Sequence, residues 1–125
     1  MKIRVYFEDT DIGGIVYHTK YINFCERARS EALFKRGILP FNKEEQSGYI
    51  VKSLKCEFIK SATLGDILEV KSSLMEIKNV SFTLLQEIYK EKEKIFSMEV
   101  KIVYLKNNRP SKIDKELLKK LFNPS

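Results

Sequence analysis

The sequence predicts an α+β domain in which one long helix lies against an antiparallel sheet of five strands, with a short helix at the end. Three observations carry that expectation. The apolar period is two residues at the start, becomes 3.6 from Tyr17 onward, and returns to two in four later runs. Those runs are joined by short polar connections, of the kind that link antiparallel neighbours. The chain is 125 residues long, enough for one buried core and too short for two, so residues 1–125 are read as a single domain.

Residues 2–8 (KIRVYFE) set Ile3, Val5 and Phe7 against Lys2, Arg4 and Tyr6, the alternation of a half-buried strand. A Gly-bearing loop, Asp9 to Val16, follows. From Tyr17 the residues Tyr21, Phe24, Cys25, Ala28 and Ala32 fall on one helical face, with Lys20, Arg27, Glu31 and Lys35 elsewhere, which predicts an amphipathic helix of about five turns. Gly37 and then Pro40 supply its stop. Strand runs follow at Tyr49–Lys60, Ile67–Lys78, Val80–Tyr89 and Lys94–Lys106, punctuated by Gly65-Asp66, by Asn79 and by the Glu91–Lys94 cluster. A short helix, about Asp114–Leu121, closes the order. One helix covers only one face of such a sheet. Leu84-Leu85 and Ile102-Val103-Tyr104 also make both faces of some strands apolar. A second copy is the economical cover, so a homodimer or homotetramer is expected.

Charge narrows the class of partner. The formal net charge is +6, but residues 1–89 carry 13 Lys/Arg against 12 Asp/Glu, whereas residues 90–125 carry 10 against 5. A basic last third suggests an anionic partner. No nucleic-acid motif accompanies the charge and the aromatics alternate as core residues, so no nucleic acid is expected. No stretch approaches the roughly 18–20 apolar residues of a membrane span. The N-terminus runs straight into a strand pattern without the apolar segment of a signal peptide. Cys25 and Cys56 sit in apolar patterns with no C-x-x-C spacing, which reads as free thiols in a reducing compartment. A soluble, cytoplasmic protein is expected.

The segment Glu8-Asp9-Thr10-Asp11-Ile12-Gly13-Gly14-Ile15-Val16-Tyr17-His18 concentrates acids, adjacent glycines and the one histidine between a strand and a helix. Asp9 and Asp11 at i, i+2 suit a divalent metal, but only His18 is at hand as a further ligand, so no metal is expected. A phosphatase-like D-x-D pair requires a parallel α/β sheet, which this order of elements does not provide. A plain turn, with Asp11 bonded to nearby amides, accounts for the composition. A functional reading competes with it. The glycines let a ligand approach the backbone closely, and a helix start presents unpaired N–H groups and partial positive charge. A carboxylate beside such a start supplies a base or nucleophile together with a site for developing oxyanion charge, the tools of ester or thioester hydrolysis.

The run VYFEDTDIGGIVYHTKYINFCERARSE, Val5 to Glu31, resembles the signature of hotdog-fold acyl-CoA thioesterases, and within them the YbgC type, relatives of 4-hydroxybenzoyl-CoA thioesterase. The shared pattern is E-D-T-D, a Gly, V-Y-H, then Tyr21 and a helix carrying E-R-A-R. Weaker likeness continues through Ile50–Ser53, Ala62–Asp66 and Gln86. The resemblance implies a hotdog fold, a long central helix wrapped by the sheet, with the active site at a dimer interface. It implies that Asp11 is the catalytic carboxylate, as nucleophile or as general base on water. His18 marks the helix-start amide that polarises the thioester carbonyl, and its imidazole lines the site. Tyr17 shapes the acyl pocket and Gly14 admits the thioester. Lys78 is a candidate contact for the coenzyme A phosphates, against the alternative of a solvated lysine.

Coenzyme A enters as part of the substrate, so no separate cofactor is expected, and an acyl-carrier protein thioester is an alternative substrate. The resemblance further implies a bacterial protein whose relatives are often encoded beside the Tol-Pal envelope system. Ser61 stands where relatives often have Pro, a departure in a turn. Arg27 and Arg29 are read as interface ion-pair residues, and the Lys90–Lys94 cluster as a solvated hairpin tip. The competing reading is a non-catalytic acyl-CoA-binding module, which shares the helix and sheet but does not need Asp11.

Overall fold

The computed structural model describes residues 1–122, with residues 123–125 outside the described part. Strand β1 (Lys2–Arg4) leads through a short 3-10 turn at Phe7–Asp9 and a loop into α1 (His18–Phe34). Strands β2 (Phe41–Asn42), β3 (Ser47–Phe58), β4 (Ile67–Ile77), β5 (Ser81–Lys90), β6 (Glu93–Lys106) and β7 (Arg109–Pro110) follow, and α2 (Lys115–Phe122) ends the described chain. The strands form one antiparallel sheet in the order β1-β4-β5-β6-β3-β2, with β7 paired to β6.

The anticipated α1 face is the one that packs. Tyr21, Phe24, Cys25 and Ala28 are buried, and Ala32 is half-buried against the same core. They meet Leu84 and Ile88 of β5 and Met98, Val100 and Ile102 of β6 in one cluster, where burial of each large side chain is worth about 2 kcal/mol. One buried polar side chain fixes the helix in place. Gln86 on β5 donates from Nε2 to the Cys25 carbonyl of α1 and to Ser72 Oγ of β4, both at 3.0 Å, and its Oε1 accepts from Arg29 Nη1 at 2.8 Å. With every polar atom of the amide partnered, Gln86 specifies one setting of helix on sheet. Arg29, expected in an interface ion pair, spends that donor inside its own chain. The helix stops where Gly37 adopts φ +72° and its N–H reaches the Phe34 carbonyl at 2.9 Å.

Four expectations are corrected. Among the described residues the sheet has seven strands, because two-residue pairings at β2 and β7 join the five expected strands. The first strand ends at Arg4 because Asp9 Oδ2 accepts the Tyr6 N–H at 2.9 Å and closes a turn over residues expected to continue the strand. The runs on either side of Gly65-Asp66 are not neighbours. The Gly65 N–H bonds the Val5 carbonyl and the Val5 N–H bonds the Asp66 carbonyl, so this turn follows β1, while β3 pairs with β6. The last helix lies one residue further on than expected, at Lys115–Phe122.

Tyr49 N–H still bonds the Pro40 carbonyl beside β2 at 2.9 Å, but among the described residues β3 from Ile50 to Phe58 is bonded on its β6 side only. Ile50, Val51, Leu54 and Phe58 along it are 38% to 50% exposed, an apolar row on an open sheet edge.

Candidate active site

The loop between β1 and α1 is held from both sides by backbone bonds. Tyr17 N–H donates to the Asp9 carbonyl at 3.0 Å, which sets the entry into α1. On the far side, residues 62–64 run alongside residues 14–16. Val16 N–H bonds the Ala62 carbonyl at 2.9 Å, Leu64 N–H bonds the Gly14 carbonyl at 3.2 Å, and Ile15 and Thr63 form an isolated bridge. The 62–66 turn is fastened in its own right by Asp66. Its Oδ2 accepts Thr63 N–H at 2.8 Å and Thr63 Oγ at 3.2 Å, and Lys90 Nζ lies 3.0 Å away. Burial works to raise the Asp66 pKa, but the Thr63 amide, the Lys90 ammonium and the Thr63 hydroxyl together hold it below the ordinary carboxylate value.

Asp11 lies on the exposed crest of the loop. Its Oδ1 accepts Gly13 N–H at 2.8 Å and, more weakly, Ile15 N–H at 3.4 Å. Among the described residues its Oδ2 accepts nothing, so the turn orients the carboxylate and leaves one oxygen unbonded. Gly14, at φ +79°, supplies the left-handed corner, and a Cβ there would meet nothing within 4 Å, so the backbone is open to an approaching group. Asp9 faces inward and is only 3% exposed. Asp9 and Asp11 therefore do not project together. Among the described residues no group of three His, Cys, Asp or Glu side chains could hold a metal ion.

His18 opens α1. Tyr17 at the cap position makes no capping bond from its side chain, and the first turn contains no acid. Among the described residues the His18 and Thr19 N–H groups have no acceptor, so the positive end of the helix dipole is left uncovered. The exposed His18 ring lies 4.6 Å from the Tyr17 ring and 6.1 Å, edge-on, from Phe58 of β3. Beneath them Tyr21 stacks on Phe96 at 5.3 Å. Asp11, Gly14, Tyr17 and His18 all lie on the loop after β1 or at the start of α1 that it leads into. Lys78 does not join them within the chain. It follows the far end of β4, roughly 35 Å along the strand from the end nearest the loop, and its Nζ sits 3.6 Å from Glu76.

Comparison with known proteins matches the thioesterase-like superfamily over residues 5–121. The chain belongs to the thioesterase-like superfamily. A curated relative, the acyl-CoA thioesterase YbgC of Helicobacter pylori, is 38% identical, with 98% of each chain covered. Among solved structures, an Aquifex aeolicus protein superposes with a TM-score of 0.85 at 29% identity, covering 97% of each chain. A gentisyl-coenzyme A thioesterase does so at 0.81 and 25% identity, covering 94% of each. The hotdog fold expected from the Val5–Glu31 motif is therefore that of this superfamily member.

One contact beneath the loop has no counterpart in the sequence reading. Tyr21, placed on the core face of α1 and in the shared motif but given no role in the site, accepts the Ala62 N–H on its phenol oxygen at 2.9 Å. A tyrosine rather than phenylalanine at a fully buried helix position was the available signal, since a buried hydroxyl needs a partner.

Proposed function

We propose that this member of the superfamily is an acyl-CoA thioester hydrolase, releasing a free acid and a thiol. The observation that carries the reading is Asp11, a carboxylate oriented by its own turn with one oxygen unspent, on the loop that leads into an uncapped helix start. Asp11 acts on the thioester carbonyl directly or through water. The His18 N–H takes the charge that develops on the carbonyl oxygen, and the α1 dipole favours that charge. The leaving thiolate has a conjugate acid of pKa about 8.5, by analogy with cysteine, so departure requires no strong general acid. Tyr17 and the His18 ring border the acyl group, and Gly14 leaves room for the thioester.

A second copy is the expected partner. The open edge of β3, with its apolar row, supports a dimer in which a neighbouring strand covers that row. In this arrangement Lys78 contacts coenzyme A phosphates only across the interface between copies. An acyl-carrier protein thioester remains the alternative substrate. The cytoplasm, where acyl-CoA is found, is the expected compartment, and among the described residues no helix is long and apolar enough to cross a membrane.

The test is a panel of acyl-CoAs of increasing chain length, assayed for thiol release with wild type and Asp11→Asn side by side. Wild type is expected to turn over part of the panel, and Asp11→Asn to lose about a hundredfold or more in kcat. A folded Asp11→Asn protein working at the wild-type rate overturns the reading. Tight acyl-CoA binding by calorimetry with no thiol release replaces it with a binding module.

A further inference from the structure

We infer that Tyr21 is a positioning residue for the hydrolytic centre, holding the Asp11 loop and the start of α1 in register through the 62–64 segment. The inference rests on the assignment of Asp11 and the helix-start amide proposed above. Those two groups belong to different elements, and the Asp11 carboxylate bonds only to amides of its own loop. Their spacing is set partly by a third element. Residues 62–64 are bonded to the loop through Val16, Ile15 and Gly14, and to α1 through Ala62 N–H donating to the Tyr21 hydroxyl. The bonds close a ring: the loop to the 62–64 segment, that segment to Tyr21, and Tyr21 back through one helical turn to His18.

Water cannot stand in for the hydroxyl, because Tyr21 is 3% exposed and Ala62 fully buried. The Tyr21 ring is held independently of its hydroxyl. It stacks on Phe96 at 5.3 Å and meets Phe24 and Phe58 edge-on at 6.2 and 6.1 Å. Removing the oxygen therefore leaves the packing in place and strands a buried N–H at the point where the segment meets the helix. The segment relaxes to find another acceptor, and the loop bonded to it follows. Small displacements of this kind act on the rate of a positioned reaction more than on substrate affinity.

The experiment is a double-mutant cycle of Tyr21→Phe and Asp11→Asn, read as kcat and KM on the best acyl-CoA of the panel, at enzyme excess for the slow variants. Tyr21→Phe alone is expected to lower kcat roughly tenfold and leave KM within about twofold. In the Asp11→Asn background it is expected to cost nothing further, because the group it positions is gone. An unchanged kcat for Tyr21→Phe, or an equal fold-loss in both backgrounds, overturns the inference. Asp66→Asn, on the exposed side of the same turn, is the second variant in case Tyr21→Phe does not fold. It breaks the ion pair with Lys90 and weakens the bonds that Thr63 of the segment makes to residue 66, with the same non-additivity expected and a smaller fall in kcat. An additive loss, or none, again counts against positioning. Full activity of Asp11→Asn itself defeats the assignment of the carboxylate instead, so the two failures are told apart.

Discussion

The inner and outer halves of the loop between β1 and α1 each carry an aspartate, and only Thr10 separates them. Asp9 is buried, its Oδ2 committed to the Tyr6 N–H and its carbonyl to the Tyr17 N–H. Asp11 is exposed, with one oxygen committed to the turn and the other unspent. In the inner half the buried carboxylate helps to end a strand, while the backbone carbonyl of the same residue aims a helix. In the outer half a similar local bond only orients the group. A carboxylate in a turn is therefore defined less by its neighbours in sequence, or by its count of backbone bonds, than by whether the fold buries it.

That contrast breaks in graded ways. The largest expected effect is on activity: Asp11→Asn loses about a hundredfold or more in kcat while its thermal midpoint stays close to wild type, since the group is exposed. Asp9→Ala reverses the pattern. It removes the charged acceptor of the part-buried Tyr6 N–H, a bond worth about 1.5–3 kcal/mol, and a midpoint lower by roughly 5–10 °C in thermal unfolding followed by circular dichroism is expected. Gly14→Ala falls between the two. Its left-handed backbone at φ +79° costs a side chain about 1 kcal/mol, with a midpoint lower by a few degrees and a measurable fall in kcat.

The smallest effect concerns Asp66, which supports both halves from outside. Its folded pKa is depressed, so its contribution is complete above the unfolded value of about 3.9 and is lost as pH falls through the lower folded value. Between pH 6 and 3 the wild-type midpoint is expected to fall slightly more than that of Asp66→Asn. Equal slopes for the two proteins would remove Asp66 from the account.

Much of this was legible in the residues. The α1 face of Tyr21, Phe24, Cys25 and Ala28 was readable because helical periodicity and burial are the same fact seen twice. The β4–β5 and β5–β6 hairpins were readable because their connections are short. The adjacency expected for β3 and β4 failed for the converse reason. A Gly-Asp turn marks where a chain bends but not which strand receives it, and here the receiver is β1, reached through Val5. The early end of the first strand was hidden because Asp9 competes for a backbone amide, which alternation does not register. Asp11, Gly14, Tyr17 and His18 could be singled out together because they fall within one short stretch between a strand pattern and a helix pattern. The role inferred for Tyr21 escaped because its partner, Ala62, is distant in sequence and has no side-chain chemistry to announce it.

The pairing of β3 with β6 has a consequence for how the chain is made. β3 ends at Phe58, while β6 begins only at Glu93. At synthesis rates of roughly 5–20 residues per second, β3 leaves the ribosome some seconds before the strand that will hold it. During that interval α1 is already complete, and the amphipathic helix is the earliest surface able to shelter the apolar side chains that follow it. Ile50, Val51, Leu54 and Phe58 are therefore the residues at which a nascent chain of this protein is most exposed to aggregation and to chaperones.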